Sequence, residues 1–95
     1  MAAISDAELL ERIKKGMGIA TNYQNETIQI YIDDVKAFML SAGVPAATVS
    51  DSAAVGCIMR GVVDLWNYGS GNTSFSEYFR MRVTQLAMSG GGTDA

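Results

Sequence analysis

Four stretches of the chain repeat apolar residues at helical spacing, and glycine follows each of them. Apolar residues three and four positions apart lie on one side of an α-helix, and glycine adopts the backbone angles that end a helix. Period-two alternation bounded by hairpin turns, which would predict strands, does not occur. The pattern predicts one all-α domain over residues 1–95, with four helices and a flexible glycine-rich tail. The predicted helices are roughly 5–16, 25–43, 50–68 and 74–89, and the tail is 90–95.

Serine and glutamate mark the predicted starts of the first and last helices. Ser5 precedes Glu8 and Ser74 precedes Glu77 in the S-x-x-E arrangement. In this capping box the hydroxyl and the carboxylate each bind a backbone N–H that the first helical turn leaves free. Both helices are therefore expected to begin at these serines. The predicted caps of the second and third helices are Asn25 and Ser50.

The third helix is apolar almost all round, which is typical of a central helix. Its polar edge consists of Arg60, Asp64 and Asn67, and Arg60 and Asp64 have the i, i+4 spacing of an ion pair. The second helix is expected to face the core with Ile28, Tyr31, Ile32, Val35, Phe38, Met39 and Ala42. The last helix is expected to face it with Phe75, Phe79, Val83 and Leu86.

A second apolar stripe lies opposite the core stripe of the second helix. It contains Ile30, Ala37 and Leu40 and would stay in water in a monomer. We expect it to pack on a neighbouring subunit, although another helix of the same domain would cover it equally well. Met81 and Met88, seven residues apart on the last helix, are further candidates for a subunit contact, because methionine adapts to irregular surfaces. The alternative is that both methionines fill the rim of the core.

Catalytic and metal-binding machinery is not visible in the sequence. Asp33 and Asp34 are adjacent, so on a helix they diverge by about 100° and cannot form a facing acid–base pair. The chain has no histidine, and its only cysteine, Cys57, is predicted to lie inside a helix. We therefore expect no enzyme activity, no cofactor and no metal site. Neither a signal peptide nor a membrane-spanning run is apparent, which favours the cytoplasm over a membrane.

Composition favours association with proteins over binding to nucleic acid. A 95-residue chain buries only about 60 to 65% of its unfolded surface, yet 48% of this chain is apolar. Some apolar surface is therefore expected to remain for contacts with other chains. The net charge of −3 and the pI near 4.6 do not suit tight binding of phosphates, which requires a basic patch.

Four helix ends together resemble those of the small head-tail connector, or adaptor, proteins of long-tailed bacteriophages, some of which are named DNA packaging proteins. The shared features are a first helix ending in G-I, a long second helix ending in A-G-V, an apolar third helix and a last helix ending in S-G. In this chain they cover residues 9–19, 27–44, 53–68 and 78–90. Many members of the family have an aromatic residue soon after the final S-G, where this chain has Gly91 and Gly92.

The resemblance implies a structural role in virus assembly. It predicts a homo-oligomeric ring in the virion that docks on the portal protein and meets a neck or tail-completion protein. DNA would pass through the ring without sequence-specific binding, and Asp33 and Asp34 would repel its phosphates if they faced the bore. Before assembly the protein would be in the host cytoplasm. The glycine content of the tail leaves two possibilities, an unstructured end or a segment that orders when it docks on the portal. That tail consists of Ser89, Gly90, Gly91, Gly92, Thr93, Asp94 and Ala95.

Two other functions remain open. One is a small helical interaction or regulatory module that acts as a dimer on another protein. The other is an acyl-carrier-like protein, because Asp51-Ser52 resembles the start of the D-S-L motif whose serine carries a prosthetic arm. Ala53 replaces the leucine of that motif, and helix capping alone accounts for residues 50–52.

Overall fold

The computed structural model describes residues 3–68 and 75–92. The longer helices are α1 (Asp6–Met17), α2 (Asn25–Ser41), α4 (Val55–Tyr68) and α5 (Glu77–Gly92). A one-turn helix, α3 (Ala46–Val49), and a 3-10 turn (Ser52–Ala54) connect α2 to α4. The described residues form no strand, and their single β-bridge joins Ala3 to Asp51. The prediction of a small all-α domain with four principal helices is confirmed.

Helix α4 is central, as its wide apolar arc predicted, and packs against α1, α2 and α5. Helices α2 and α5 pack closely against α4 at Gly61, where a Cβ atom would lie 2.8 Å from Val35 Cγ2 and 2.7 Å from Phe79 Cε1. Glycine therefore sets how closely α2 and α5 pack against α4. The buried apolar core consists of Leu9, Ile13, Ile28, Ile32, Val35, Met39, Val44, Val49, Ala54, Val55, Cys57, Ile58, Val62, Leu65, Phe79 and Val83.

Three phenylalanines join α2 to α5. The ring centroid of Phe75 lies 4.8 Å from that of Phe38 and 4.6 Å from that of Phe79, with the rings tilted. Aromatic pairs at such distances add to the free energy gained by burial alone. Phe79 and Val83 are buried, whereas Phe75 and Leu86 are half-buried beside them. The predicted core stripe of the last helix is therefore confirmed.

Helix α1 begins and ends close to its predicted limits. The Glu8 backbone N–H donates to Ser5 Oγ at 3.2 Å, which is one half of the predicted capping box. The Glu8 carboxylate binds Arg12 at 3.1 Å. Gly18 ends the helix with a φ of 77°, a left-handed conformation that glycine adopts without strain. Gly16 is within the helix, where its missing side chain leaves room for Met59.

The predicted caps of the second and third helices are wrong. Asn25 is the first residue of α2, and Gln24 before it makes no side-chain cap. Ser50 ends α3, and the cap that follows is Asp51, whose Oδ2 accepts a hydrogen bond from Ala53 N–H at 3.0 Å. The Ser50 backbone oxygen accepts a hydrogen bond from Ile4 N–H at 3.0 Å, which ties the N-terminal segment to the turn after α3. Ala42, predicted for the core, is exposed because α2 ends one residue before it.

Asp64 was predicted to lie on a polar edge, but it is buried between α4 and α5. Its Oδ2 accepts a hydrogen bond from Ser76 N–H at 3.0 Å, and its Oδ1 lies 3.8 Å from Arg60 Nε. Ser76 Oγ in turn accepts from Phe79 N–H at 3.2 Å. Helix α5 therefore begins at Glu77, beside a serine that Asp64 holds in place. Ser74, predicted as the cap, is outside the described residues.

Lys14 on α1 is buried, which the sequence pattern did not predict. Its ammonium donates to Asn22 Oδ1 at 2.8 Å and lies 3.8 Å from the Glu11 carboxylate. A buried charge is stabilised only when it is paired or hydrogen-bonded. Lys14 therefore fastens the loop after α1 to the helix.

Candidate functional site

The predicted apolar stripe on the back of α2 is exposed. Ile30 is 58% exposed and Leu40 48% exposed, and Ala37 between them is exposed as well. No described helix covers these side chains, so the alternative that the domain itself buries them is wrong for the described part of the chain. We call Ile30, Asp33, Asp34, Ala37 and Leu40 the outer face of α2, because all five lie within about 120° of the helix circumference, opposite the core stripe.

The two carboxylates of the outer face have no cationic partner within the described residues. Asp33 Oδ1 accepts a hydrogen bond from Gln29 Nε2 at 3.0 Å, and Asp34 is exposed. The nearby cation Lys36 is bound to Asp6 of α1 at 3.2 Å. The outer face therefore combines exposed aliphatic side chains with uncompensated negative charge.

Met81 and Met88 lie on the solvent side of α5. Their side chains are 57% and 72% exposed, so they do not fill the rim of the core. Arg80 and Thr84, on the same helix, are exposed too. The methionines are thus free to contact another chain, and a contact there stays a prediction.

A groove between α4 and the start of α5 was not predicted. It has a volume of about 260 Å³ and is lined by Gly56, Met59, Arg60, Val63 and Tyr78. Tyr78 is exposed, and the Arg60 guanidinium lies 5.3 Å from the centre of its ring, as in a cation–π contact. We call these five residues the α4–α5 groove.

The groove continues into a smaller depression on its other side. Gly56 and Tyr78 line both, and Ala53, Cys57 and Arg82 complete the second. In the sequence, only Tyr78 indicates this groove, because it lies off the core stripe of α5. Its position predicts an exposed aromatic residue, but it does not predict that α4 lies beside it.

Cys57 lies inside α4, as predicted, and its side chain is buried. Burial raises the pKa of the Cys57 thiol, and the Arg82 guanidinium offsets part of that rise. A thiol with a raised pKa holds less of the reactive thiolate at neutral pH. Within residues 3–68 and 75–92, no group of three or more histidine, cysteine, aspartate or glutamate side chains is placed to hold a metal ion.

Asp51 and Ser52, the two residues that suggest the acyl-carrier alternative, have structural roles in the fold. The Asp51 side chain is buried and caps the 3-10 turn, and Ser52 in that turn is half-buried. A serine that carries a prosthetic arm must be reached by a modifying enzyme. The structure gives this pair a capping role and adds no observation in favour of a carrier.

Helix α5 continues to Gly92, three residues beyond its predicted end. Glycine disfavours a helix by about 1 kcal/mol relative to alanine, which is why the sequence predicts the end at residue 89. Thr93, Asp94 and Ala95 are outside the described residues. Docking by this tail stays a prediction.

Comparison with protein-family models, curated proteins and solved structures finds no match. Among the described residues, no helix is long and apolar enough to cross a membrane. The surfaces of the domain are therefore the basis for a functional proposal, together with the sequence resemblance.

Proposed function

We propose that this protein is a structural subunit of a bacteriophage head-tail connector. Copies would form a ring that docks on the portal protein, meets a neck or tail-completion protein and extends the DNA channel towards the tail. The observation that carries the proposal is the exposure of Ile30 and Leu40 on the outer face of α2. Burying the exposed half of each side chain on a neighbour would contribute roughly 1 kcal/mol per residue.

A ring requires a head-to-tail contact between two different surfaces of the subunit, related by a rotation that closes. The outer face of α2 supplies one such surface. Since Asp33 and Asp34 lie on it, a subunit contact there would cover the carboxylates, whereas a contact elsewhere would leave them free to face the bore. A cryo-EM map of the ring distinguishes the two placements. The net charge of −3 suits a channel past which DNA slides without binding.

Self-association is tested with purified protein by sedimentation velocity and negative-stain electron microscopy. We expect rings for the natural sequence and monomers for a variant with Ile30→Ser and Leu40→Ser. The matched control is Tyr23→Ser, which removes an exposed aromatic side chain from a loop and should leave the rings intact. Circular dichroism should show the same helix content in all three proteins.

Three results decide the proposal. Rings that persist in the double variant would refute the role of the outer face, and a natural protein that stays monomeric at high concentration would refute self-association. A plain dimer would favour the alternative of a helical interaction module. The predicted role of the tail is tested separately by deleting residues 90–95, which should abolish co-purification with the portal protein of the same phage and leave the ring intact.

A further inference from the structure

The outer face of α2 and the α4–α5 groove lie on opposite sides of the domain. The inner face of α2 meets α4 at Gly61, where the missing side chain leaves room for Val35. At 100° per residue, the four α4 residues of the groove lie within about 100° of one another, on the side of α4 away from Gly61. The two surfaces therefore point in opposite directions from one subunit.

The two surfaces carry opposite charge. The groove and its adjoining depression present the guanidinium groups of Arg60 and Arg82. Their described partners are few: Arg60 lies 3.8 Å from the buried Asp64, and Arg82 donates to Gln85 Oε1 at 2.7 Å. The outer face of α2 presents Asp33 and Asp34, which form no ion pair within the described residues.

The apolar parts of the two surfaces also match. Met59 and Val63 line the groove and are half-buried, and a Cβ atom added at Gly56 would meet no atom within 4 Å beyond its chain neighbours and the backbone of its own helix. The open space at Gly56 therefore admits a side chain from outside. Ile30 and Leu40 are aliphatic side chains of the kind that an apolar groove with a methionine wall accommodates.

We propose that the outer face of α2 in one copy binds the α4–α5 groove of the next copy, with Asp34 and Asp33 facing Arg60 and Arg82. The contact joins two different surfaces, so it is head-to-tail and extends from copy to copy. Complementary charges fix the register of such a contact and exclude the alternative in which two outer faces meet and their carboxylates repel each other. This inference rests on the self-association in the proposed function and identifies the surface that receives α2.

Gly56 is the position at which to test it, because substitutions there reach into the groove without a clash inside the domain. We would compare Gly56→Glu, Gly56→Gln and Gly56→Lys, which have similar lengths and differ in charge. Gly56 is a helical residue in α4, so each variant should melt at or above the temperature of the natural protein. A groove that receives Asp34 should give the order Lys, Gln, Glu from tightest to weakest association, with Glu at least tenfold weaker than Lys.

The same three variants are then made with Asp34→Lys, an exposed substitution on the partner surface. If residue 34 of one copy faces residue 56 and Arg60 of the next, the order should invert, with Gly56→Glu now the tightest. Dissociation constants from sedimentation equilibrium provide the comparison. An inverted order supports the proposal, because no fold effect of either substitution produces it.

The remaining results overturn the proposal in distinguishable ways. If association is the same for all residues at position 56, or if Asp34→Lys leaves the order unchanged, the groove is not the partner surface and self-association through another surface survives. If all three variants are monomeric, a side chain of any charge at position 56 blocks the contact, so the groove is the partner surface but the charge pairing that sets the predicted order is wrong. If the natural protein never associates, both this inference and the proposed function fail.

Discussion

The two faces of α2 use the same kinds of residue and have opposite surroundings. Ile28, Ile32, Val35 and Met39 are fully buried against the rest of the domain, whereas Ile30 and Leu40 on the other face are about half exposed. Ile32 is two positions after Ile30, a rotation of about 200° around the helix axis. The comparison shows that residue type alone does not decide burial; position around the helix does.

The inner face is required for the fold and the outer face is not. Burial of a large aliphatic side chain contributes roughly 1.5 to 3 kcal/mol, and Ile32 gains this inside the domain. Ile30 gains little from the fold of a single copy. Substitutions on the two faces should therefore separate stability from association.

The largest effect is expected from Ile32→Ala. This change removes a fully buried side chain and should lower the free energy of unfolding by about 2 to 5 kcal/mol. The same substitution at Ile30 should change it by less than about 0.5 kcal/mol, because the site is exposed and the helix is the same. Urea denaturation followed by circular dichroism measures both, at a protein concentration low enough to keep the subunits monomeric, because a subunit contact would add to the loss at Ile30. Equal losses for the two variants would show that the domain buries the outer face after all.

A smaller effect is expected from substituting two glycines of α4. One packs against other helices and the other is exposed, so they test the difference between inner and outer faces on a second helix. Gly61→Ala places a methyl group against Val35 and Phe79 and should destabilise the domain by about 1 to 2 kcal/mol, after its gain in helix propensity. Gly56→Ala points into open space and should stabilise it by about 0.5 to 1 kcal/mol. Thermal melting of the variants at equal protein concentrations shows whether each substitution stabilises or destabilises the domain. A stabilising Gly61→Ala would contradict the close packing of the three helices.

Helical periodicity was sufficient to predict the four longer helices and most of their faces, but not the one-turn helix α3. The core stripe of α5 and the central position of α4 follow from spacing alone, because burial on a helix repeats every 3.6 residues. Spacing also located the second stripe on α2, but only the structure shows that no described helix covers it. Helix ends were predicted less well. Ser50 and Asp51 are both good capping residues by type, and only the hydrogen bond from Ala53 N–H to Asp51 Oδ2 in the structure shows which of them is used.

Contacts between distant residues could not be predicted from the sequence. A polar residue on an apolar helix normally indicates an exposed edge. Asp64 is buried because it accepts a hydrogen bond from the N–H of Ser76, twelve residues away, and the sequence does not show that contact. Lys14 is buried for the same kind of reason, through Asn22 in the following loop. The α4–α5 groove combines side chains of two helices that are separate in the sequence. Such a surface requires the packing of the helices as well as their periodicity.

The smallest effect is expected in the alkylation rates of two thiols, one buried and one exposed. Burial raises the pKa of Cys57, so alkylation at pH 8 should be slower than that of free cysteine, and Arg82→Gln should slow it further by removing the charge that opposes the rise. A cysteine introduced by Ala37→Cys, together with Cys57→Ala, should react at the rate of an exposed thiol while the protein is monomeric.

The raised pKa of Cys57 also determines how the free energy of unfolding changes with pH. The folded protein holds the thiol proton at pH values where the unfolded chain releases it, so this group contributes stability below the ordinary thiol pKa and loses it as the pH rises through the folded value.

Alkylation rates are measured by mass spectrometry between about pH 7 and 9.5. They check the order of the natural protein, the Arg82→Gln variant and the protein with Ala37→Cys and Cys57→Ala. Faster labelling of Cys57 in the Arg82→Gln variant would show that Arg82 shields the thiol sterically, instead of stabilising its thiolate.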